Sequence, residues 1–257
     1  MTVKAILAAS TALVALAGAA QAADVAALIG NDTIAIVDTA AKKATKKMKV
    51  EGVAGPMVGI DVRPADGMLY ALAADGTLYT IAMDGKATKK SRLETMLPAG
   101  AAATVDFNPV ADRLRVIGSD GTSLRVNVDD GKVIKDGSLK YADADANKGK
   151  APKVMAGAYT NSVKGTKETT LLNIDTATGA LVKQAPPNDG ILNTVGALGP
   201  KIDVVAFDIW SDGTKNEGWA MTGDQLWSVD LATGKATQVA KIEGLGGPVS
   251  DIAILKK

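Results

Sequence analysis

Residues 58–93 read VGIDVRPADGMLYALAADGTLYTIAMDGKATKKSRL, and this stretch decides the fold. Three Asp-Gly pairs, Asp66-Gly67, Asp75-Gly76 and Asp84-Gly85, cut it into four short runs of aliphatic, aromatic and β-branched residues. Asp-Gly between such runs signals a hairpin, because glycine accepts the positive φ that tight turns require. The spacing predicts a four-stranded meander, with Val58 to Arg63 innermost, then Met68 to Ala73, Thr77 to Met83 and Lys86 to Leu93.

The same sentence is written five times along the chain. TIAIVDTAAKKAT, LYTIAMDGKAT, LRVNVDDGKV, LLNIDTATGAL and LWSVDLATGKAT each run from an extended segment into an aspartate and a turn. The marker aspartates are Asp38, Asp84, Asp129, Asp175 and Asp230, spaced 46, 45, 46 and 55 residues apart. Strand-and-turn repeats of this length with almost no helical periodicity are the signature of β-propeller blades. The third unit supplies Thr104 to Asn108, Arg113 to Gly118, Ser123 to Val128 and Lys132 to Lys135; the fifth, Val204 to Ile209, Gly218 to Thr222, Gln225 to Val229 and Ala236 to Lys241. In the fourth unit Val154 to Asn161 has to be divided between inner and second strands, with Thr169 to Ile174 as the third.

The first unit has no inner strand ahead of its marker, whereas Val249 to Leu255 (VSDIAIL) resembles the inner strands GIDVRP, VDFNP and FDIWS. The expectation is an all-β propeller of five blades, closed by pairing of the N- and C-terminal strands within one blade. Six blades is the alternative if Ala185 to Lys201 forms strands of its own.

Residues 1–22 read as a signal peptide: Lys4, a small apolar run from Ala5 to Ala20, and Ala20-Gln21-Ala22 before the cleavage point. The run is too short to span a membrane, and with no cysteine in the chain a lipid anchor has no attachment point. A single propeller domain over 23–257 is therefore expected to be periplasmic or secreted, without a membrane anchor, and monomeric. The segment removes one of 29 basic residues and none of the 28 acidic ones, so the remainder is formally neutral. Neutrality argues against nucleic acid, whose binding needs excess cations. The cluster Lys42, Lys43, Lys46, Lys47 and Lys49 is read as protection of an outermost, open sheet edge. With neither cysteine nor histidine, thiol nucleophiles, Ser-His-Asp triads and Cys/His zinc sites are excluded.

What remains for chemistry is carboxylate, arginine, tyrosine and amide. Asp61, Asp106, Asp208 and Asp251 recur on inner strands and suggest either an axial carboxylate ring that holds a cation or, more simply, residues that cap turns or pair with arginines between blades. Arg115 and Arg125 sit on neighbouring strands. Two guanidinium groups on one sheet face need an anion between them, supplied by a carboxylate or phosphate ligand or by Asp106 and Asp112. Asp143, Asp145, Asn147 and Gly149 resemble the start of a calcium loop but lack its closing glutamate, so no cofactor is called and calcium is the only one considered. Trp219 and Trp227 align with Tyr70 and Tyr79 as core residues, leaving Trp210 as the tryptophan open to a functional role. The stretch from Gln184 to Gly190, QAPPNDG, is the longest turn-rich segment.

Taken together, DFNP-x-ADRLRV, AYTN and Q-x-PPNDG resemble the uncharacterised family known as domain of unknown function 4394, over nearly all of residues 23–257. The resemblance implies an exported, propeller-like bacterial protein and no particular activity. Its signature falls here on Asp106, Asn108, Arg113, Arg115, Arg125, Tyr159, Asn161, Asn188 and Asp189, which are the candidate ligand-binding residues; no catalytic or metal-binding residue is assigned. Tyr159 aligns with Tyr70 and Trp219 and has a core role as its simpler reading. The function expected is a non-catalytic propeller that binds a small polar or anionic ligand or an envelope protein. The alternative is a lyase- or hydrolase-type enzyme using Asp/Arg/Tyr chemistry or bound calcium at the channel.

Overall fold

In the computed structural model, residues 23–199, 202 and 206–255 are described; the expected signal peptide and the inner-strand positions Val204 and Val205 lie outside them. The strands follow in order. They begin with β1 (Asp24–Ile29), β2 (Thr33–Asp38) and β3 (Lys43–Lys49), then β4 (Met57–Val62), β5 (Leu69–Ala73), β6 (Thr77–Ile81) and β7 (Ala87–Arg92). Next come β8 (Ala103–Asn108), β9 (Arg113–Gly118), β10 (Ser123–Val126), β11 (Val133–Lys135), β12 (Lys140–Tyr141), β13 (Val154–Tyr159), β14 (Leu171–Asp175), β15 (Ala180–Gln184) and β16 (Ile191–Ala197). The chain finishes with β17 (Ala206–Ser211), β18 (Asn216–Thr222), β19 (Gln225–Val229), β20 (Ala236–Lys241) and β21 (Val249–Leu255).

The Asp-Gly pairs set the hairpins as their chemistry demands. Gly76 and Gly85 take φ of +85° and +92°, while the preceding Asp75 and Asp84 carboxylates accept the N–H of Thr77 and Lys86, two residues on. The resulting meanders form five antiparallel sheets arranged as a five-bladed β-propeller: β21-β1-β2-β3, β4-β5-β6-β7, β8-β9-β10-β11, β13-β14-β15-β16 with β12 added, and β17-β18-β19-β20. The ring closes as the sequence predicts. Leu28 of β1 lies opposite Asp251 of β21 on one side and Ile34 of β2 on the other. The inner strands contact in the cycle β4, β8, β13, β17, β21 and back to β4.

Such a ring has no single central core. Five hydrophobic clusters lie in the seams instead, one between each pair of adjacent blades. Tyr70 and Trp219, on second strands, and Tyr79 and Trp227, on third strands, are all buried there as anticipated. The lysines of β3 and those of β7 stand on outermost strands of their blades.

The fourth blade departs from the expected frame. Val154–Tyr159 is one inner strand, not two, and the marker Asp175 ends the second strand rather than the third. The reason is local: Thr160 to Thr170 forms a long connection, stapled by Thr169 Oγ1 to the Thr160 carbonyl, and pushes the repeat one strand out of phase. Tyr159 consequently sits on the innermost strand and is not equivalent to Tyr70 and Trp219. The segment read as a possible sixth blade supplies β16, the fourth strand of this sheet, and β12 pairs parallel to it at the edge.

Candidate ligand-binding site

Antiparallel pairing brings the ends of the inner strands, the starts of the second strands and the ends of the third strands to one end of the propeller. Asn108, at the end of β8, lies opposite Arg113, at the start of β9. Asn161, Asn188 and Asp189 follow β13 and β15 at the same end. Most of the residues singled out in the sequence therefore share one face, although they do not form one site.

Arg115 is the largest fully buried side chain, 2% exposed. A buried cation requires partners, and Arg115 makes four bonds: Nε donates to Tyr159 Oη at 3.2 Å, Nη1 to Ser123 Oγ at 3.1 Å and Asp136 Oδ2 at 2.5 Å, and Nη2 to Asn188 Oδ1 at 2.8 Å. Arg125, directly opposite on β10, grips the same Asp136 in bidentate fashion at 2.7 and 2.9 Å. The anion between the two guanidinium groups is thus Asp136, which sequence reasoning missed. Its Asp136-Gly137 pair resembles any other turn signal. Asp112 is committed instead to Arg63 of the second blade, at 2.5 Å. Asp106 accepts the backbone N–H of Tyr159 at 2.9 Å.

The remaining candidates have distinct places. Asn108 Oδ1 accepts the N–H groups of Val110 and Ala111 and shapes the β8–β9 turn. Asn161, at φ +56°, exchanges two hydrogen bonds with Asn216 and ties blade four to blade five. Asn188 and Asp189 lie in a single 3-10 turn, Pro187–Asp189, where the Asn188 carbonyl accepts the Gly137 N–H at 2.9 Å. The QAPPNDG stretch therefore clamps blade three to blade four. In the calcium-like stretch, Asp145 turns its carboxylate to the Thr194 N–H and hydroxyl.

Arg113 differs from Arg63, Arg115 and Arg125. Arg63 is met by Asp66, Asp112 and Asp129, and Arg115 and Arg125 share Asp136, whereas Arg113 contacts only the carbonyls of Asp112 and Ala111. It is half-buried and lines a cleft of about 360 Å³ with Glu94, Arg125, Asn127, Lys132, Val133 and Ile134. Equivalent clefts occur in blade two, beside Met68, Thr80 and Met83, and in blade five, beside Glu217, Ser228 and Asp230. The register establishes the equivalence. Met68, Arg113 and Glu217 each precede by two the residue that faces the inner-strand aspartate. The fold supplies the cleft, and only in blade three is it lined with arginine.

On the axis, the inner-strand aspartates neither cap turns nor pair with arginines. Each accepts a backbone N–H from the next blade's inner strand: Asp61 from Phe107, Asp106 from Tyr159, Asp208 from Ile254 and Asp251 from Ile60, at 2.6–2.9 Å. In blade four Ala158 stands in the aspartate's place, one residue before Tyr159 as Asp106 is one before Phe107. Oxygens of Asp61, Asp106 and Asp208 lie within 4.8 Å of one another, close enough for one cation to bridge. Burial, reinforced by mutual repulsion, holds Asp61 and Asp106 well above the usual carboxylate range; burial raises Asp251 likewise and Asp208 to about 6. Shared protons can therefore do the work of a counter-ion. Trp210 lines the small cavity over Asp61 and Asp208, whose volume of about 30 Å³ holds roughly one water.

A five-bladed propeller with an arginine-lined cleft in its third blade is thus the class of protein that fold and site define. Residues 33–253 match the family Domain of unknown function (DUF4394), and the chain belongs to that family. No curated protein is similar in sequence. Among solved structures, a structural genomics protein of unknown function from Bacteroides thetaiotaomicron VPI-5482 is similar at 15% identity and TM-score 0.55, over 93% of this chain and 66% of that one. The structure titled nidogen/laminin complex aligns at 9% identity and TM-score 0.53, over 91% and 98%. A protein of unknown function from Bacteroides caccae aligns at 15% identity and TM-score 0.49, over 92% and 100%. At these identities the first two likenesses are of fold alone.

Proposed function

We propose that this protein is an exported, non-catalytic β-propeller that binds a small anionic ligand, a carboxylate or phosphate, in the blade-three cleft lined by Arg113, Arg125, Asn127 and Lys132. The observation that carries the reading is a charge excess. Two guanidinium groups share the single carboxylate of Asp136, and a third, Arg113, forms no ion pair among the described residues, so the three arginines and Lys132 outnumber Asp136, Asp130 and the cleft's own Glu94. Arg125 spends Nε and Nη2 on Asp136, which fixes its plane and leaves Nη1 for a ligand. Guanidinium forks held in place in this way favour planar or tetrahedral oxyanions. Lys132, paired with Asp130 at an exposed 3.4 Å contact, adds a weakly held charge that a ligand can recruit. The axial cavity, with room for about one water, is too small for such a ligand. Export is read from residues 1–22.

Titration calorimetry with inorganic phosphate and with citrate tests the proposal. Saturable binding that weakens roughly tenfold or more in Arg113→Gln, the scale of one lost charge-assisted hydrogen bond, is the expected result. Absence of heat with both anions, or binding indifferent to Arg113→Gln, overturns it.

A further inference from the structure

We infer that a second cleft, at the inner part of the seam between blades three and four, binds an amphipathic carboxylate, a small acid with an apolar body. This cleft has a volume of about 470 Å³, within the range of small-molecule sites, and is lined by different residues from the arginine cleft. Its floor is Tyr159, Leu171 and Gln184, each no more than 2% exposed. The apolar walls come from the β8–β9 turn on one side and from Ala185 and Pro187 on the other.

Three observations point to such an occupant. Val110 is 48% exposed at the tip of the β8–β9 turn, where polar residues are the norm, and it lines the cleft. Lys167 and Lys183 stand in the lining against a single acid, Glu168, and neither lysine has an acidic partner within ion-pair distance among the described residues. Lys183 projects from the middle of a sheet, paired on both sides through Leu172 and Asn193, so its base is fixed. The walls are preorganised as well. Asn108 braces the Val110 turn from within, and Gln184 Nε2 donates to the Pro187 carbonyl at 2.6 Å. A ligand therefore finds the site formed and loses little affinity to ordering it. Apolar walls answer a hydrocarbon or aromatic body, and the ammonium groups answer its carboxylate.

Octanoate, butyrate and phosphate, each titrated calorimetrically into the purified protein, decide the matter. Octanoate is expected to bind with one-to-one stoichiometry and at least tenfold more tightly than butyrate. Lys183→Gln is expected to weaken octanoate about tenfold, and Val110→Asp to abolish its binding, while Arg113→Gln leaves it within twofold. Lys183 and Val110 are exposed, so neither change threatens folding, and unchanged melting curves verify this. Failure of octanoate to bind, equal affinity for butyrate, or octanoate binding that ignores both Lys183→Gln and Val110→Asp refutes the inference. Octanoate binding that falls with Arg113→Gln instead assigns the acid to the arginine cleft and refutes it equally. Phosphate binding lost only in Arg113→Gln bears on the arginine cleft alone, so the two sites succeed or fail separately.

Discussion

Asp136 shows how one side chain can organise a seam. It is almost completely buried, accepts three hydrogen bonds from two arginines and, through Arg115, reaches Asn188 on the far side of the interface. Neutralising it removes the compensation for Arg115, which has no other ion-pair partner among the described residues. Asp136→Asn should therefore destabilise the protein by about 3 kcal/mol or more, the usual consequence of leaving a buried charge unpaired. Urea denaturation measures this, and a loss below 1 kcal/mol would contradict the role given to the carboxylate. The arginines themselves were legible in the sequence as a pair needing an anion. Their partner was not, because Asp136 is 21 residues from Arg115 and carries the same Asp-Gly signature as ordinary turns.

At the level of elements, the 3-10 turn Pro187–Asp189 and its flanking Gly190 act as a clasp. Gly190 has φ +70°, and a Cβ there would meet the Gly137 and Ser138 carbonyls at 2.4 and 2.5 Å. Both the handedness and the contact demand glycine. Gly190→Ala is expected to cost about 1–3 kcal/mol in strain and to loosen the seam. Hydrogen exchange at the amides of Gly137 and Lys140, which bond the Asn188 and Gly190 carbonyls, should accelerate before other blades respond. Exchange unchanged at those amides would show that the turn does not hold the interface. The sequence marks this stretch as a turn, yet nothing in it states that the turn faces the preceding blade. The same limit explains the fourth blade: marker aspartates identify a strand followed by a turn, and Asp175 satisfies that pattern on a second strand as well as on a third.

For the whole molecule, closure of the ring concentrates four carboxylates on its axis and fixes the pH response. Their folded pKa values lie above the unfolded value near 3.9, Asp208 at about 6 and the others raised. A group raised on folding contributes stability that is complete below its unfolded pKa and is lost as pH rises through its folded pKa. Surface turn aspartates act oppositely. Asp75, Asp84, Asp129, Asp145, Asp212 and Asp230 are held low, by hydrogen bonds to backbone N–H groups and, at Asp129, chiefly by Lys90 and Arg63; Asp212 lies at about 2. Their contribution is lost as pH falls through those values. Stability should consequently peak between roughly pH 4 and 6, with a melting temperature several degrees higher at pH 5 than at pH 8. Asp208→Asn should narrow that difference, and a profile that is level from pH 5 to 8 in the parent protein would sink the assignment.

The amino-acid sequence alone determined the strand pattern, the Asp-Gly turns and the turns after the marker aspartates, the repeat and the joining of the two ends, because each is set by chemistry acting over a few residues or by likeness between units. Tertiary structure alone decided which groups meet across the seams: Asp136 with two arginines, Asp208 with an amide 46 residues away, and Arg113 with no ion pair among the described residues. Such partners are chosen by the distance between blades after packing, and residues far apart in the chain carry no mark of the neighbours they will have.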